Sequence, residues 1–180
     1  MKQLAVQEID GVFTSKQSFF SDSRGSFLRL DASINRELVY VAISSNPTHG
    51  TIRGLHFQLE PYSESKKVIC IEGKILEILL DLRPNSETCW RWGSIVLDSR
   101  ESLQISIPKG VAHGFQTLEA NTILHYTIDA PYVPESALSI NPLGDLDIDW
   151  PIKDWVISEK DLRGINLVKA LRVYRESLIS

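Results

Sequence analysis

The sequence predicts an all-β fold, an antiparallel barrel or sandwich with a short C-terminal helix, and three features support this prediction. Residues 37–129 contain short runs rich in Val, Ile, Leu, Thr and aromatic residues, at the roughly 8–15-residue spacing typical of such folds. Turn-forming Gly, Pro, Asn and Ser residues separate these runs. After residue 158 the hydrophobic spacing changes from that of a strand to that of a helix.

The strands of the predicted sheets differ in how deeply they are expected to lie. The run L-Q-I-S-I at 103–107 alternates between apolar and polar residues, which indicates one buried face and one wetter face. The run I-L-E-I-L-L at 75–80 does not alternate and is expected to lie deeper. The predicted strands are 38–44, 67–71, 75–81, 93–97, 103–107 and 123–128.

The end of the chain has the signals of a helix. S-E-K-D at 158–161 has the form of a capping box, with Ser158 as the N-cap. Apolar residues then recur every three positions, at Leu162, Ile165, Val168 and Leu171. We therefore predict one C-terminal helix, which Gly164 weakens. A further helical turn or two is expected over 31–38.

Length, charge and cysteine content limit the possible functions. The 180 residues suit a single domain spanning 1–180, and 43% hydrophobic residues are enough for a real core. A net charge of −4 speaks against general binding of nucleic acid or anionic membranes. No run approaches the roughly 18 apolar residues of a membrane span. With two cysteines and no signal-peptide-like apolar run, we predict a cytoplasmic protein.

Two histidines stand in the patterned part of the chain. His56 lies in R-G-L-H-F-Q at 53–58, and His113 lies in I-P-K-G-V-A-H-G-F at 107–115. The P-x-G-x-x-H spacing of the second run is typical of cupin barrels, in which this histidine points inwards. Both histidines could therefore face one cavity, although each alone could equally be a hydrogen-bonded core residue.

A catalytic metal is not predicted. Zinc and iron sites usually need three protein ligands, and metal-binding cupins typically offer H-x-H with a glutamate and a later histidine. The corresponding residues here are His56, Phe57 and Gln58, so the second histidine is missing.

Acid–base chemistry is the remaining interpretation, and it needs a base, an orienting carboxylate, a proton donor and an oxyanion stabiliser. His56 can be the base, Lys66 the stabiliser and Tyr126 the acid, while Asp161 can orient His56. From spacing alone Lys66 could be a solvated strand-edge lysine and Tyr126 a packing aromatic. Asp161 could likewise be no more than the fourth residue of the capping box.

The motifs, taken in order, resemble a known family: the dTDP-4-dehydrorhamnose 3,5-epimerases and their 3-epimerase relatives, which act on nucleotide-linked 4-keto-6-deoxyhexoses. They run from about residue 12 to 163 in family order. The motifs are S-R-G-S-F (23–27), G-T-I-R-G-L-H-F-Q (50–58), S-K-K-V-I-C-I-E-G (65–73), D-L-R-P-N-S-E-T (81–88), I-P-K-G-V-A-H-G-F (107–115), Y-T-I-D-A-P-Y-V-P (126–134), D-W-P (149–151) and S-E-K-D (158–161).

The resemblance implies an all-β, cupin-type double-stranded β-helix (a jelly-roll barrel). It also implies a homodimer with exchanged N-terminal strands that works without a metal or another cofactor. The catalytic residues implied by motif position are His56, Lys66, Tyr126 and Asp161. The substrate-binding residues implied in the same way are Arg24, Phe27, Arg53, Gln58, His113, Tyr132 and Lys160.

The implied activity is epimerisation at carbon 3, with carbon 5 left open, of a sugar such as dTDP-4-keto-6-deoxyglucose of the rhamnose pathway. His56 would remove the acidic proton beside the keto group, Lys66 would stabilise the enolate, and Tyr126 would return a proton to the opposite face. The alternatives are a 3,4-ketoisomerase on the same fold and a non-catalytic sugar-binding cupin.

Several positions depart from the family pattern, and all of them fall in the binding set. Arg29 stands where glutamate is common, and Y-V-A-I at 40–43 replaces the usual Gln-x-Asn that contacts the nucleotide base. Pro131 stands where the double epimerases often have tyrosine, and Ala137 where glutamate is usual. The nucleotide, the sugar and the number of inverted centres therefore stay open.

Overall fold

Two β-sheets face each other across a shared apolar core in the computed structural model, which describes residues 3–23, 25–31 and 40–179. The larger sheet has the strand order β1-β9-β8-β11-β6-β13, with β14 paired to β6, and the smaller has the order β2-β10-β7-β12-β5. The strands are β1 Gln3–Ala5, β2 Phe13–Lys16, β3 Ser18–Asp22, β4 Gly25–Arg29, β5 Tyr40–Asn46, β6 Thr51–Gln58, β7 Lys66–Glu72, β8 Lys74–Asp81, β9 Trp92–Asp98, β10 Leu103–Ile107, β11 Val111–Thr117, β12 Thr122–Ile128, β13 Ala137–Ser139 and β14 Val156–Ile157.

The pairing is antiparallel except at two edges, where β1 runs parallel to β9 and β14 runs parallel to β6. The six predicted strands correspond to β5, β7, β8, β9, β10 and β12, and the two histidine motifs form β6 and β11. The cupin-type jelly roll predicted from the sequence is confirmed. No helix of the described residues is long and apolar enough to cross a membrane.

The core has two parts, and the larger sheet separates them. Between the sheets lie side chains such as Ile75, Leu79 and Phe115, together with Val68 and Leu124 of the smaller sheet. The other part lies under the C-terminal helix and contains Ile78 and Leu80 of the same strand, β8. Because β8 is covered on both faces, its sequence has no reason to alternate, as predicted.

The predicted C-terminal helix is present, but its span is divided into two helices. α1 spans Glu159–Leu162, with the Ser158 hydroxyl accepting the Asp161 amide as predicted, and α2 spans Leu167–Ser177 with Asn166 as its N-cap. Between them Ile165 forms a β-bridge with Ile140, so the backbone there is extended rather than helical.

The apolar face of α2 also differs from the expected three-residue repeat. Leu162 and Val168 are 40% and 64% exposed. The buried residues of α2 are Leu167, Ala170, Leu171 and Tyr174, at helical spacing. Apart from Asp31, the helical turn expected over 31–38 falls outside the described residues.

A β-bulge in β6 sets the direction of the residues that follow. His113 pairs with His56, but Phe115 pairs with Arg53, so two residues of β6 lie opposite one residue of β11. Gly54, at the bulge, has φ +110°, and a Cβ there would lie 2.6 Å from the carbonyl oxygen of His113. The extra residue puts Arg53 and His56, three positions apart, on the same face of the strand.

The hairpin formed by β3 and β4 makes no strand pairing with the two sheets among the described residues. Its side chains are exposed except for the half-buried Leu28. Phe19, Phe20 and Phe27 are 56%, 52% and 60% exposed, and the rings of Phe20 and Phe27 lie 6.4 Å apart.

Candidate active site

His56 and Lys66 open onto a cavity of about 400 Å³ at one end of the barrel. β5, β6, β7, β12 and β13 bring their side chains together around this cavity, and α1 adds Lys160. The lining residues are Tyr40, Val41, Ala42, His56, Phe57, Gln58, Glu64, Lys66, Ile128, Ala130, Tyr132, Ala137, Leu138 and Lys160.

His56 is held from behind by a buried carboxylate. Its Nε2 lies 2.8 Å from Oδ1 of Asp161, which is 4% exposed. The same carboxylate accepts the Ser139 hydroxyl at 2.8 Å and the Gly54 amide at 3.3 Å. Burial raises the pKa of Asp161, but these hydrogen bonds, that of His56 first, outweigh burial and lower the pKa to about 2. Asp161 is therefore ionised and can only accept.

Lys66 lies between a carboxylate and a histidine. Its Nζ is 2.7 Å from Oε1 of Glu64 and 3.0 Å from Nε2 of His113. The lysine and glutamate side chains are only 11% and 10% exposed. Because an ammonium group donates only, His113 Nε2 accepts, and the proton of this histidine is on Nδ1.

A second carboxyl group lies behind His113 and was not predicted from the sequence. Nδ1 of His113 donates to Oε1 of the fully buried Glu77 at 2.8 Å. Burial raises the pKa of Glu77 well above its usual range, and burial together with the charge of Lys66 lowers the pKa of His113 well below its own. Both pKa shifts favour the neutral forms of Glu77 and His113, so their contact is a hydrogen bond rather than an ion pair.

Tyr126 lies beside His113 rather than on the cavity wall. The ring centroids of Tyr126 and His113 are 6.1 Å apart, and Tyr126 packs against the core between the sheets. Burial raises the pKa of Tyr126 well above its usual range; Glu77 adds to the shift and Arg53 opposes it. The phenol therefore keeps its proton at neutral pH.

The predicted binding residues do not all meet at this cavity. Tyr132 and Lys160 line it, and both are exposed. Arg53 donates from Nε to Oδ1 of Asn46 at 2.8 Å. Phe27 lies on the hairpin and does not line the His56 cavity. Arg24 falls outside the described residues.

Gln58 lines the cavity and also contacts the loops at its rim. Its Nε2 lies within 3.2 Å of the carbonyl oxygens of Tyr62 and Pro131 and of Oε2 of Glu64, and its Oε1 accepts the Val133 amide at 2.7 Å. Gln58 therefore holds two loops together, and the substrate-binding role expected for it stays a prediction.

A larger cleft, of about 540 Å³, lies at the hairpin and contains Phe20, Phe27 and Arg29. Among the described residues its lining includes no histidine, lysine or tyrosine, so we place the chemistry in the smaller cavity. Within the described residues, no three His, Cys, Asp or Glu side chains are grouped to hold a metal ion.

The residues missed from the sequence are Glu64, Glu77 and Ser139. Glu77 had a visible signal, because it is the one charged residue in the apolar run I-L-E-I-L-L. Ser139 had none, since its contact with Asp161 joins residues 22 positions apart in a loop-rich region.

Fold and site together define a cupin-type isomerase: a histidine held by a buried carboxylate and a lysine share one cavity, an arrangement for moving a proton next to a carbonyl group. The comparisons with known proteins identify the family. The family model for dTDP-4-dehydrorhamnose 3,5-epimerase matches residues 6–169, and the chain belongs to this family of carbohydrate epimerases.

Relatives and solved structures match along most of the chain. A dTDP-4-dehydrorhamnose 3,5-epimerase of Shigella flexneri is 31% identical over 172 residues, covering 91% of this chain and 94% of its own. An epimerase structure from Legionella pneumophila, in complex with dTDP-4-keto-L-rhamnose, has a TM-score of 0.83 at 30% identity and covers 91% and 92% of the two chains. A 3'-monoepimerase of Streptomyces bikiniensis, in complex with dTDP-quinovose, has a TM-score of 0.80 at 27% identity and covers 96% and 90%.

Proposed function

We propose that the protein inverts carbon 3 of a nucleotide-diphospho-4-keto-6-deoxyhexose, with the dTDP-linked sugar as the first candidate substrate. The observation that carries this proposal is the His56–Asp161 pair, which opens onto the same cavity as Lys66. The Legionella pneumophila and Streptomyces bikiniensis structures were solved with dTDP-linked sugars, which supports the choice of nucleotide. Those two proteins differ in the number of centres they invert, so carbon 5 is left to experiment.

His56 acts as the base in this reaction through its Nδ1 atom. Asp161 is ionised and only accepts, so the proton of neutral His56 is on Nε2 and the lone pair is on Nδ1. A proton on the carbon next to the keto group moves to Nδ1, and the electrons of that C–H bond form the enolate. The imidazolium ion that results is stabilised by the Asp161 carboxylate.

Lys66 stabilises the negative charge that develops on the carbonyl oxygen. Its ammonium group is fixed by two contacts and is largely shielded from water, so little reorganisation is needed when the charge forms. Removing one donor of this kind typically lowers the rate about a hundred- to thousand-fold.

Tyr126 returns a proton to the opposite face of the enolate, and the centre is inverted. Its raised pKa keeps the phenol protonated until the enolate takes the proton, and it makes the phenolate the disfavoured state at equilibrium. The phenolate regains a proton while His56 releases the one it took, so protons balance over one turnover. The donor role of Tyr126 is assigned from its motif position, and in the structure its ring lies beside His113.

We assign the diphosphate and the nucleotide base of the substrate to the open side of the cavity. Lys160 is exposed at the rim and offers a positive charge to phosphate, and Tyr132 offers an aromatic face for stacking. Tyr40, Ala42 and Ala137 make the neighbouring wall largely apolar, where the family usually has polar residues.

The functional unit is a homodimer that works in the cytoplasm. The exposed phenylalanines of the β3–β4 hairpin are the main support for a dimer, because an isolated hairpin with no buried face is not stable in water. Cys70 and Cys89 are both free thiols, which suits a reducing compartment.

The test is NMR of dTDP-4-keto-6-deoxyglucose in heavy water, in the presence of a chelator. Wild-type protein should incorporate deuterium at carbon 3 and invert it, and signals at carbon 5 report the second centre in the same spectra. His56→Asn should lose at least the roughly hundred- to ten-thousand-fold typical of a missing general base. A 3-keto product would indicate a ketoisomerase. No exchange at all, or activity that depends on one particular metal, would contradict the proposal.

A further inference from the structure

Glu64 enters the proposed mechanism only as one of the two contacts of Lys66, and its own contribution to the rate is undefined there. It precedes β7 by two residues, lines the cavity and has a side chain that is 10% exposed. Both of its carboxylate oxygens are used: Oε1 lies 2.7 Å from Lys66 Nζ, and Oε2 accepts Gln58 Nε2 at 3.2 Å.

The two neighbours of Glu64 explain why this position holds a carboxylate. Lys66 presents an ammonium group and Gln58 presents an amide NH₂, and both are donors. Only a side chain with two acceptor oxygens satisfies both at once; a glutamine in this place would direct its own NH₂ group at one of them. The requirement comes from local hydrogen bonding and does not depend on the substrate.

A count of the N–H bonds of Lys66 connects Glu64 to the reaction. The ammonium group has three N–H bonds. Within the described residues one is used by Glu64 and one by His113, which leaves a single N–H for the cavity. Without Glu64 the group could rotate about its terminal C–N bond and swing on its four-carbon side chain, with only His113 to restrain it.

We propose that Glu64 is a positioning residue for the reaction, acting through Lys66: its carboxylate fixes the ammonium group so that the remaining N–H points at the carbonyl oxygen of the sugar. The inference rests on the proposed role of Lys66. Glu64 contributes orientation rather than affinity, since a carboxylate at the cavity wall repels an anionic nucleotide sugar.

This role predicts a specific kinetic pattern for Glu64→Gln. kcat should fall about 10- to 100-fold, the size of effect expected for a misplaced catalytic group. KM should stay constant or decrease, because the cavity loses a negative charge. Glu72→Gln, which changes an exposed carboxylate at the other end of β7, is the matched control and should leave both constants unchanged.

A double-mutant cycle tests whether Glu64 acts through Lys66. In a Lys66→Met background the further change Glu64→Gln should alter kcat by less than about 2-fold, because the group that it orients is already absent. An equal fall in kcat with and without Lys66 would overturn the proposal, and so would an unchanged kcat in the single variant.

A measurement without turnover separates this inference from the proposed function. The Lys66 ammonium group, shielded and hydrogen-bonded, should give a slowly exchanging ¹H–¹⁵N NMR signal, assigned by its loss in Lys66→Met. The signal should broaden or vanish in Glu64→Gln and persist in Glu72→Gln. A signal unchanged by Glu64→Gln would overturn the positioning role, whereas a protein that keeps this pattern but exchanges no sugar proton would contradict only the proposed function.

Discussion

Two carboxyl groups contact the two histidines of the site, and their surroundings move their pKa values in opposite directions. Asp161 accepts three hydrogen bonds, and its pKa falls to about 2. Glu77 is fully buried, its Oε2 has no partner among the described residues, and its pKa is raised. The charged form is therefore favoured behind His56 and the neutral form behind His113. A charged partner suits a histidine that must become an imidazolium ion.

A substitution of Tyr126 can separate proton removal on one face of the sugar carbon from proton return on the opposite face. Tyr126→Phe keeps the ring and its packing but removes the proton that inversion requires, so stability should change by less than about 1 kcal/mol. Inverted product should fall by at least about a hundred-fold, while deuterium exchange with retained configuration continues at carbon 3. NMR of the recovered sugar reports both quantities. Inverted sugar formed at near the wild-type rate would show that Tyr126 is only a packing residue.

Single residues could be predicted where a motif contains them, and not where a contact joins distant parts of the chain. His56, Lys66 and Asp161 were predicted from short motifs; the structure brings His56 and Lys66 to one cavity and places Asp161 behind His56. Glu77 reaches His113 only because β8 and β11 pair in one register, which no local pattern states. Their chemical roles stay predictions until the variants are measured.

At the scale of elements, the bulge in β6 determines where His56 points. Gly54→Ala would place a methyl group 2.6 Å from the His113 carbonyl oxygen, at a φ of +110° that alanine rarely adopts. We expect a loss of about 2–3 kcal/mol in unfolding free energy and of most of the activity, because β6 must shift against β11. Denaturant melts and turnover would measure both.

Gly11→Ala is the control for that experiment. Gly11 also has a positive φ, +71°, but its nearest atom to an added Cβ would be 3.4 Å away and belongs to a side chain, Pro108. Gly11→Ala should therefore lower the free energy of unfolding only by the cost of placing alanine at a positive φ, and the variant should keep its activity. If both variants were equally stable and active, the close approach at Gly54 would not matter.

Strand prediction succeeded where an apolar run is long enough to stand out from its turns. Six of the eight strands from β5 to β12 were predicted from such runs, and the other two, β6 and β11, contain the histidine motifs. The N-terminal strands β1 to β4 are short and largely exposed, and in the sequence they resemble loops. One C-terminal helix was predicted where two exist, because the bridge between Ile165 and Ile140 depends on a strand that is distant in sequence.

At the scale of the whole molecule, the exposed β3–β4 hairpin is predicted to form the dimer interface. Phe19→Ser with Phe20→Ser should convert a dimer into a monomer, because two large exposed aromatic side chains are removed from the surface assigned to the interface. Size-exclusion chromatography with light scattering measures the mass directly. Val168→Ser removes an apolar side chain that is 64% exposed on α2, and it should leave the dimer intact. Wild-type protein that runs as a monomer would refute the assignment.

The architecture as a whole was easier to predict than the assembly or the substrate. The number, spacing and composition of the strands predict an antiparallel barrel or sandwich, and the family resemblance of the motifs implies the jelly roll. Phe27 illustrates the limit: its motif marks it as a binding residue, yet in one chain it lies on the hairpin, apart from the cavity. A local motif can mark a residue without stating where the fold places it.

The contacts of Gln58 indicate how an enzyme of this kind can change its substrate while its catalytic residues keep their positions. This one side chain ties down both rim loops, and of its partners only Glu64 contributes a side chain; the others are main-chain atoms of Tyr62, Pro131 and Val133. Main-chain atoms survive almost any substitution. Side chains of the rim can therefore be substituted during evolution, as Pro131 illustrates. Gln58 still holds the two loops in place, and the catalytic residues beneath them do not move.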